Sequence, residues 1–334
     1  MKIAILGAGT WGAALASLLK TNGCEVTLWS AIQNEIDMLR KNGEHKNLPG
    51  AKMPDGIIYE SDISLAASGK DVVLFVVASE YLRSTVKSAA PYIKPGCVLA
   101  TATKGIEKGT LFTMSEIIED EIAKYTSEKF DTVALSGPTH AEEVAKKLPT
   151  SIVSASKNES VAMALAEAVS NDYMRAYTNT DILGVEISGA FKNIIALAAG
   201  ITRGMGFGDN ALAMLMTRGI AEITRIGIAL NCHRRTFMGL AGIGDLIVTC
   251  TSRHSRNNRC GELIGKGFSY DEASREIGMV VEGYHALEAG IALADKYGVE
   301  MPITEAVYDV IIRGVSPKEA MSKLMSRDLK SELG

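Results

Sequence analysis

The sequence predicts a two-part chain: an α/β domain built on a doubly wound parallel sheet over residues 1–180, followed by an all-α C-terminal domain over residues 181–334. Three observations carry this. Short β-branched runs alternate with helical stretches through the first half, as they do where a parallel sheet is covered by helices. A glycine cluster sits at the first strand-to-helix junction. Beyond about Thr180 the strand-like runs give way to long patterns rich in Ala, Leu and Ile. At 334 residues the chain also exceeds the size at which one core stops growing, so two domains are expected.

Element by element, Lys2–Leu6 reads as the first strand, Thr10–Thr21 as a helix, Glu25–Trp29 as the second strand and Ile32–Lys41 as another helix. A looser stretch, Asn42–Asp55, leads to a short strand at Ile57–Glu60. Asp71–Val77 is a continuous apolar run, the mark of a strand buried on both faces. Val98–Thr103 and Thr132–Leu135 repeat it, with helices expected over Glu80–Ala90 and Thr110–Lys124. Ser151–Ala155 and Met174–Tyr177 complete the strands. The helical half is read at Ile182–Ile201, Ala211–Ala229, Glu282–Tyr297 and Ile303–Arg313.

Composition excludes several function classes. A net charge of −4 argues against a general nucleic-acid binder, which needs a basic surface. The five cysteines include no CxxC pair, and the five histidines form no HxxxH or HExxH pattern, so a reducing compartment, the cytoplasm, and a metal-free protein are expected. The apolar run after Met1-Lys2 has the look of a signal peptide, but three spaced glycines and a strand-turn-helix pattern speak against that. No charge-free apolar run reaches the ~20 residues of a membrane span.

Gly7-Ala8-Gly9-Thr10-Trp11-Gly12 fits G-x-G-x-x-G, a weak pattern alone. Its place, directly after the first strand and opening a helix, favours a Rossmann-type dinucleotide site over a turn glycine cluster in some other α/β fold. Gly7 permits the tight turn, Gly9 lets the backbone approach a pyrophosphate, and Gly12 allows close helix–sheet packing. The unpaired N–H groups of the helix N-terminus then hold the negative charge. The acidic residue that normally meets the adenosine ribose is missing, because strand two runs on as Trp29-Ser30-Ala31-Ile32. No Arg follows until Arg40. The cofactor is therefore NAD or NADP, with the preference open.

Oxidation of a secondary alcohol needs a base for the hydroxyl proton, and the reverse reaction needs an acid. Lys192 is the best candidate. It lies in Gly189-Ala190-Phe191-Lys192-Asn193-Ile194-Ile195, a helix apolar nearly all round and hence buried. Burial lowers a lysine pKa toward a useful range. The competing reading is a snorkelling surface lysine. Lys104 follows a parallel strand, at the edge where such sheets bind ligands, though loop lysines are common. A cation there would polarise the substrate oxygen. Asp245 and Thr249 share a helix face if their segment is helical. A carboxylate among apolar residues needs a partner, for which Lys192 is the obvious choice, or it is a helix cap. Arg253-His254-Ser255-Arg256-Asn257-Asn258-Arg259 suits a phosphate, or is simply a solvated polar loop.

Taken together these segments resemble the bacterial NAD(P)-dependent glycerol-3-phosphate dehydrogenases. The likeness runs from residue 2 to about residue 325, through Gly7–Gly12, Leu135–Glu143, Gly189–Asn210, Gly239–Ser252 and Val280–Gly283. It implies interconversion of sn-glycerol 3-phosphate and dihydroxyacetone phosphate by hydride transfer with NAD or NADP, supplying phospholipid synthesis. It implies Lys192 as proton donor and acceptor, with Lys104 and Asp245 as catalytic partners. The substrate contacts it implies are Lys104, Gly137, Thr139, Lys192, Asn193, Asp245, Thr249, Ser255, Arg256 and Asn257. The cofactor contacts are Gly7, Gly9, Thr10, Trp11, Gly12, Lys104, Ala141, Arg256, Val280 and Glu282. A cleft between the two domains would hold the site, and a homodimer through the helical domain is the family-level expectation. Two departures stand out: Ala31 occupies a position where many relatives carry His or Arg, and Phe191 replaces a more usual aliphatic residue. The rival readings are a β-hydroxyacid dehydrogenase of the same layout and a non-catalytic nucleotide sensor.

Overall fold

In the computed structural model, which describes residues 1–329, 331 and 332, strands and helices alternate from the first residues onward. The order is β1 (Lys2–Leu6), α1 (Thr10–Thr21), β2 (Glu25–Trp29), α2 (Gln33–Asn42), β3 (Ile58–Glu60), α3 (Ile63–Ala67), β4 (Val72–Phe75) and α4 (Ser79–Ala89). It continues with β5 (Val98–Thr101), α5 (Met114–Ile122), β6 (Thr132–Ser136), α6 (Ala141–Ala145), β7 (Thr150–Ala155), α7 (Glu159–Val169) and β8 (Met174–Asn179). From there on the described chain is helical: α8 (Ile182–Gly204), α9 (Asp209–Ala229), α10 (Arg234–Phe237), a π-helical turn at Leu240–Gly244, α11 (Asp245–Thr251), α12 (Arg256–Gly265), α13 (Tyr270–Ile277), α14 (Glu282–Tyr297), α15 (Pro302–Ile311) and α16 (Pro317–Met325).

The eight strands form one sheet in the order β3-β2-β1-β4-β5-β6-β7-β8. The order reverses at β1 and β4, the switch point beside which open α/β sheets bind ligands. All four residues of β4 are buried, as its unbroken Val-Val-Leu-Phe run requires of a central strand covered on both faces. One apolar layer packs α1, α6 and α7 on one face, and another packs α3, α4 and α5 on the other. The sheet departs from the parallel expectation once, where β7 runs antiparallel to β6. The only helix in that connection, α6, is five residues and ~7.5 Å long. It is too short to carry the chain back along a five-residue strand for a parallel return. Helices α3, α6, α7, α10, α12, α13 and α16 were not distinguished in the sequence, most of them being short or broken by polar residues.

By internal contacts the chain divides into two units: Met1–Gly189 with Cys232–Asp245, and Ala190–Asn231 with Leu246–Gly334. The first unit extends past the last strand because Ile182, Val185 and Ala241 share a small core with Ala134, Val153 and Ala155 of β6 and β7. It also holds a buried carboxylate, Glu186, which accepts from the Ser115 N–H at 2.8 Å and the Ser115 hydroxyl at 2.6 Å. Burial, opposed by these hydrogen bonds, pushes its pKa up to about 7 from a normal 4.5. The folded protein therefore binds a proton more readily than the unfolded chain, and this contribution to stability is lost as pH rises from about 4.5 through about 7. Glu186→Gln should flatten the fall of Tm across that window, measured by thermal melts from pH 4.5 to 8.

In the second unit, α8 and α12 touch backbone to backbone. A Cβ on Gly200 would lie 2.0 Å from the Asn258 carbonyl oxygen, and one on Gly261 would lie 2.2 Å from that of Leu197. Gly204 and Gly265 repeat the contact one turn on. The four-residue spacing on each helix puts both glycines on one face. Gly261→Ala should lower stability by about 1–3 kcal/mol, the usual cost of overpacking, as read from a denaturant titration. Helix α8 is long and apolar enough to cross a membrane, but 94% of its most apolar window is buried inside the protein.

Candidate active site

The glycine loop folds as its spacing demands. Gly7 has φ +129°, a conformation closed to other residues, and a Cβ there would lie 2.5 Å from the Val76 carbonyl oxygen. A Cβ on Gly12 would come 1.8 Å from the Gly7 carbonyl oxygen. Gly9 is different: nothing lies within 4 Å of its Cβ direction, and no side chain caps α1, whose N-cap it is. Open room thus lies beside Gly9 at the carboxyl end of β1, where α1 begins without a capping side chain, next to the switch point. That is the provision a dinucleotide pyrophosphate needs. Thr10 and Trp11 are half-buried in this first turn, and the Thr10 hydroxyl accepts from Asn47 Nδ2 at 3.1 Å.

Two further sheet edges in the same unit bring their residues together. Lys104 follows β5, and its ammonium donates to Asp245 Oδ2 at 2.6 Å and to the Gly137 carbonyl at 3.3 Å. The Asp245 side chain is 2% exposed and that of Lys104 18%. A short charge-assisted contact of this kind satisfies a carboxylate that could not remain buried alone. The Thr139 hydroxyl donates to the same Gly137 carbonyl at 3.2 Å. Gly137 needs its missing side chain, with φ +140°. Gly189 leaves less room for a methyl, since its Cβ would come 3.3 Å from the Lys104 stem and 3.4 Å from the buried Ser136 hydroxyl. Ala141 opens α6 just beyond and is buried.

In the second unit Lys192 is only 7% exposed, and its ammonium donates to the Thr249 hydroxyl at 2.8 Å. The snorkelling alternative is thereby removed. Asp245 and Thr249 do lie one turn apart on a helix, α11. Asn257 bridges two elements: Nδ2 donates to Asn193 Oδ1 at 3.0 Å, and Oδ1 accepts from the Gly283 N–H at 2.9 Å. It therefore ties α8 to the first turn of α14, where Glu282 sits half-buried beside half-buried Val280. Ser255 caps α12 by accepting from the Asn258 N–H at 3.2 Å. Arg256, half-buried, opens that helix, whereas Arg253 and Arg259 are exposed. Of the three guanidinium groups in the run, only Arg256 has the sheltered position that an anion clamp needs. Asn257→Asp keeps the acceptor for Gly283 but loses the donor to Asn193. It should weaken substrate binding by about tenfold with a smaller change in turnover, a split that steady-state kinetics would resolve.

Two residues escaped the sequence reading. The end of β2 does carry a carboxylate, brought there from α2: Ser30 Oγ donates to Glu35 Oε2 at 2.7 Å. Arg203 also joins the α12 region, donating to Asn258 Oδ1 at 3.1 Å. The only sequence signal for Glu35 was its place in the first turn of the second helix, where a side chain can reach back to the strand end.

The comparisons with known proteins agree with this layout. Residues 2–162 match the family model described as NAD-dependent glycerol-3-phosphate dehydrogenase N-terminus, and residues 181–322 match the corresponding C-terminus. The chain is 52% identical to a glycerol-3-phosphate dehydrogenase [NAD(P)+] 2 of Lactobacillus delbrueckii, over 99% of both chains. It is 45% identical to the glycerol-3-phosphate dehydrogenase [NAD(P)+] of Agathobacter rectalis, over 99% of this chain and 97% of that one. Among solved structures, the glycerol-3-phosphate dehydrogenase of Coxiella burnetii superimposes with a TM-score of 0.93 at 36% identity, covering 98% and 99% of the two chains. A D-mandelate dehydrogenase, at 17% identity and a TM-score of 0.64, shares the fold alone. With both halves matched in order and relatives alike over their full length, the chain belongs to the NAD(P)-dependent glycerol-3-phosphate dehydrogenase family.

Proposed function

We propose that this chain interconverts sn-glycerol 3-phosphate and dihydroxyacetone phosphate, with residues 1–180 holding the dinucleotide and residues 181–334 supplying the proton-transfer and phosphate-binding groups. The nicotinamide dinucleotide supplies the acceptor for hydride from the alcohol carbon, or the donor in reverse. The backbone of Gly7, Gly9 and Gly12 with Thr10 and Trp11 would hold its pyrophosphate, and Ala141, Val280 and Glu282 would line the rest. The remaining chemistry belongs to the chain's own side chains. Lys192, as the neutral amine, takes the substrate hydroxyl proton as the carbon–oxygen bond gains double-bond character. As the ammonium it returns that proton to the ketone oxygen. Thr249 orients its Nζ. Lys104, held by Asp245, stabilises charge building on the substrate oxygen. Gly137, Thr139 and Asn193 position the polyol. Arg256, helped by Ser255 and by Asn257, holds the phosphate, for which a guanidinium fork is suited.

The observation that carries this reading is the buried lysine amine on an apolar helix, donating to the Thr249 hydroxyl at 2.8 Å, in a chain whose full length follows the family. A hydroxyacid dehydrogenase needs a carboxylate-binding group in place of the phosphate clamp, and a nucleotide sensor has no use for a buried amine. A cytoplasmic homodimer joined through the helical domain completes the proposal. The decisive assay follows the oxidation of NADH and of NADPH by dihydroxyacetone phosphate in parallel. Oxidation of a hydroxyacid instead would favour the β-hydroxyacid reading. Cofactor binding without turnover of either would favour the sensor.

A further inference from the structure

The end of β2, where a dinucleotide-binding sheet meets the adenosine ribose, carries an unexpected arrangement. The Gly7 N–H donates to the Trp29 carbonyl at 3.0 Å, so the last residue of β2 is bonded directly to the first glycine of the loop. The next residue, Ser30, is buried. Its hydroxyl accepts from the Ile32 N–H at 3.1 Å and donates to Glu35 Oε2 at 2.7 Å. The serine thus fixes both the turn out of the strand and the place of the carboxylate, and Glu35 itself is half-buried in the first turn of α2. In an open α/β sheet this strand end is where the adenosine ribose lies, and an acidic side chain there bonds the ribose 2′-hydroxyl. The strand supplies no such residue; α2 does.

The surroundings offer little to attract a second phosphate. Arg40 is exposed, and its guanidinium is already engaged by Asp37 at 3.5 Å and by the Tyr59 carbonyl at 2.9 Å. Lys41, Lys46 and Lys52 are exposed to solvent, where their charge is screened. His45, close to Glu35, is buried, accepts from the Asn47 N–H through Nδ1, and has its pKa lowered by burial; it stays neutral near pH 7. Glu60 and Asp62 add further negative charge on the neighbouring strand end, where the Glu60 carbonyl accepts from the Ser30 N–H. Ala31, exposed, brings neither charge nor hydrogen bond.

From this geometry we infer that Glu35, held by Ser30, is a specificity-determining residue that accepts from the ribose 2′-hydroxyl and repels a 2′-phosphate, so that the enzyme prefers NAD(H) to NADP(H). The inference rests on the reading that the Gly7–Gly12 loop holds a dinucleotide.

The test is equilibrium binding without substrate: fluorescence titration of the purified protein with NADH and NADPH, and competition by 5′-AMP and 2′,5′-ADP. NADH should bind at least ~10-fold more tightly than NADPH, and 5′-AMP should compete better than 2′,5′-ADP, since an unpaired dianion beside a half-buried carboxylate is strongly disfavoured. Glu35→Gln is near-isosteric and should keep the wild-type Tm while narrowing the NADH-to-NADPH ratio at least ~5-fold. Equal wild-type affinities, or a ratio that Glu35→Gln leaves within about twofold, would overturn the inference alone. If neither dinucleotide bound, the reading of the loop would fall first, and this inference with it.

Discussion

Lys192→Ala should leave NADH binding intact and lower turnover of dihydroxyacetone phosphate by roughly 10²–10⁴, the range for losing general acid–base help. The expectation follows from the lysine's setting. It is 7% exposed, on a helix whose neighbouring residues Phe191, Asn193 and Ile194 are buried, and its bonding includes a neutral hydroxyl, Thr249. Lys192→Arg separates proton transfer from simple positive charge. A guanidinium cannot give up its proton near neutral pH, so arginine should rescue little of the rate even where it keeps the charge. Stopped-flow measurement of a single turnover reads the chemical step directly. A rate for Lys192→Ala within a few-fold of wild type would remove this residue from the mechanism.

The second large effect concerns the cofactor loop. Gly12→Ala places a methyl 1.8 Å from the Gly7 carbonyl oxygen. The obstacle is backbone, so no rotamer change relieves it; either α1 must move off the sheet or the Gly7 turn must open. We expect a stability loss of about 1–3 kcal/mol, as for an overpacked core, and NADH binding weakened by at least ~10-fold. Gly9→Ala is the control. Nothing lies within 4 Å of its Cβ, so the fold should tolerate the methyl, while the close approach of a pyrophosphate should not. Comparing melting curves and NADH titrations for the two variants distinguishes a packing glycine from a contact glycine. Equal behaviour in both measurements would contradict the roles given to them.

The alternation of strands and helices, the long apolar helix around Lys192 and the glycine loop were all legible in the sequence because each rests on local periodicity or local backbone demand. β1 and α1 run as read, at Lys2–Leu6 and Thr10–Thr21, since a strand end, a required positive φ and a helix start are all properties of neighbouring residues. Short elements such as α3 and α6, five residues each, carry too few turns for any pattern to emerge. The antiparallel β7 was hidden for another reason. Its residues look like any buried strand, and direction is set by the length of the connection.

What the sequence alone determined is the chemical inventory and its order: a dinucleotide loop first, then Lys104, Lys192, Asp245 and the Arg256 run, each next to residues that give it the right local conformation. Which of these groups share hydrogen bonds was decided only by tertiary structure. Asp245 meets Lys104 across 141 positions of chain, Asn257 reaches both Asn193 and Gly283, and Glu35 returns to Ser30 from a different element. The physical reason is the short reach of a hydrogen bond, about 3 Å. A sequence can show that a buried carboxylate needs a partner, but only the packing of glycines, strand ends and helix turns selects which donor comes within that distance.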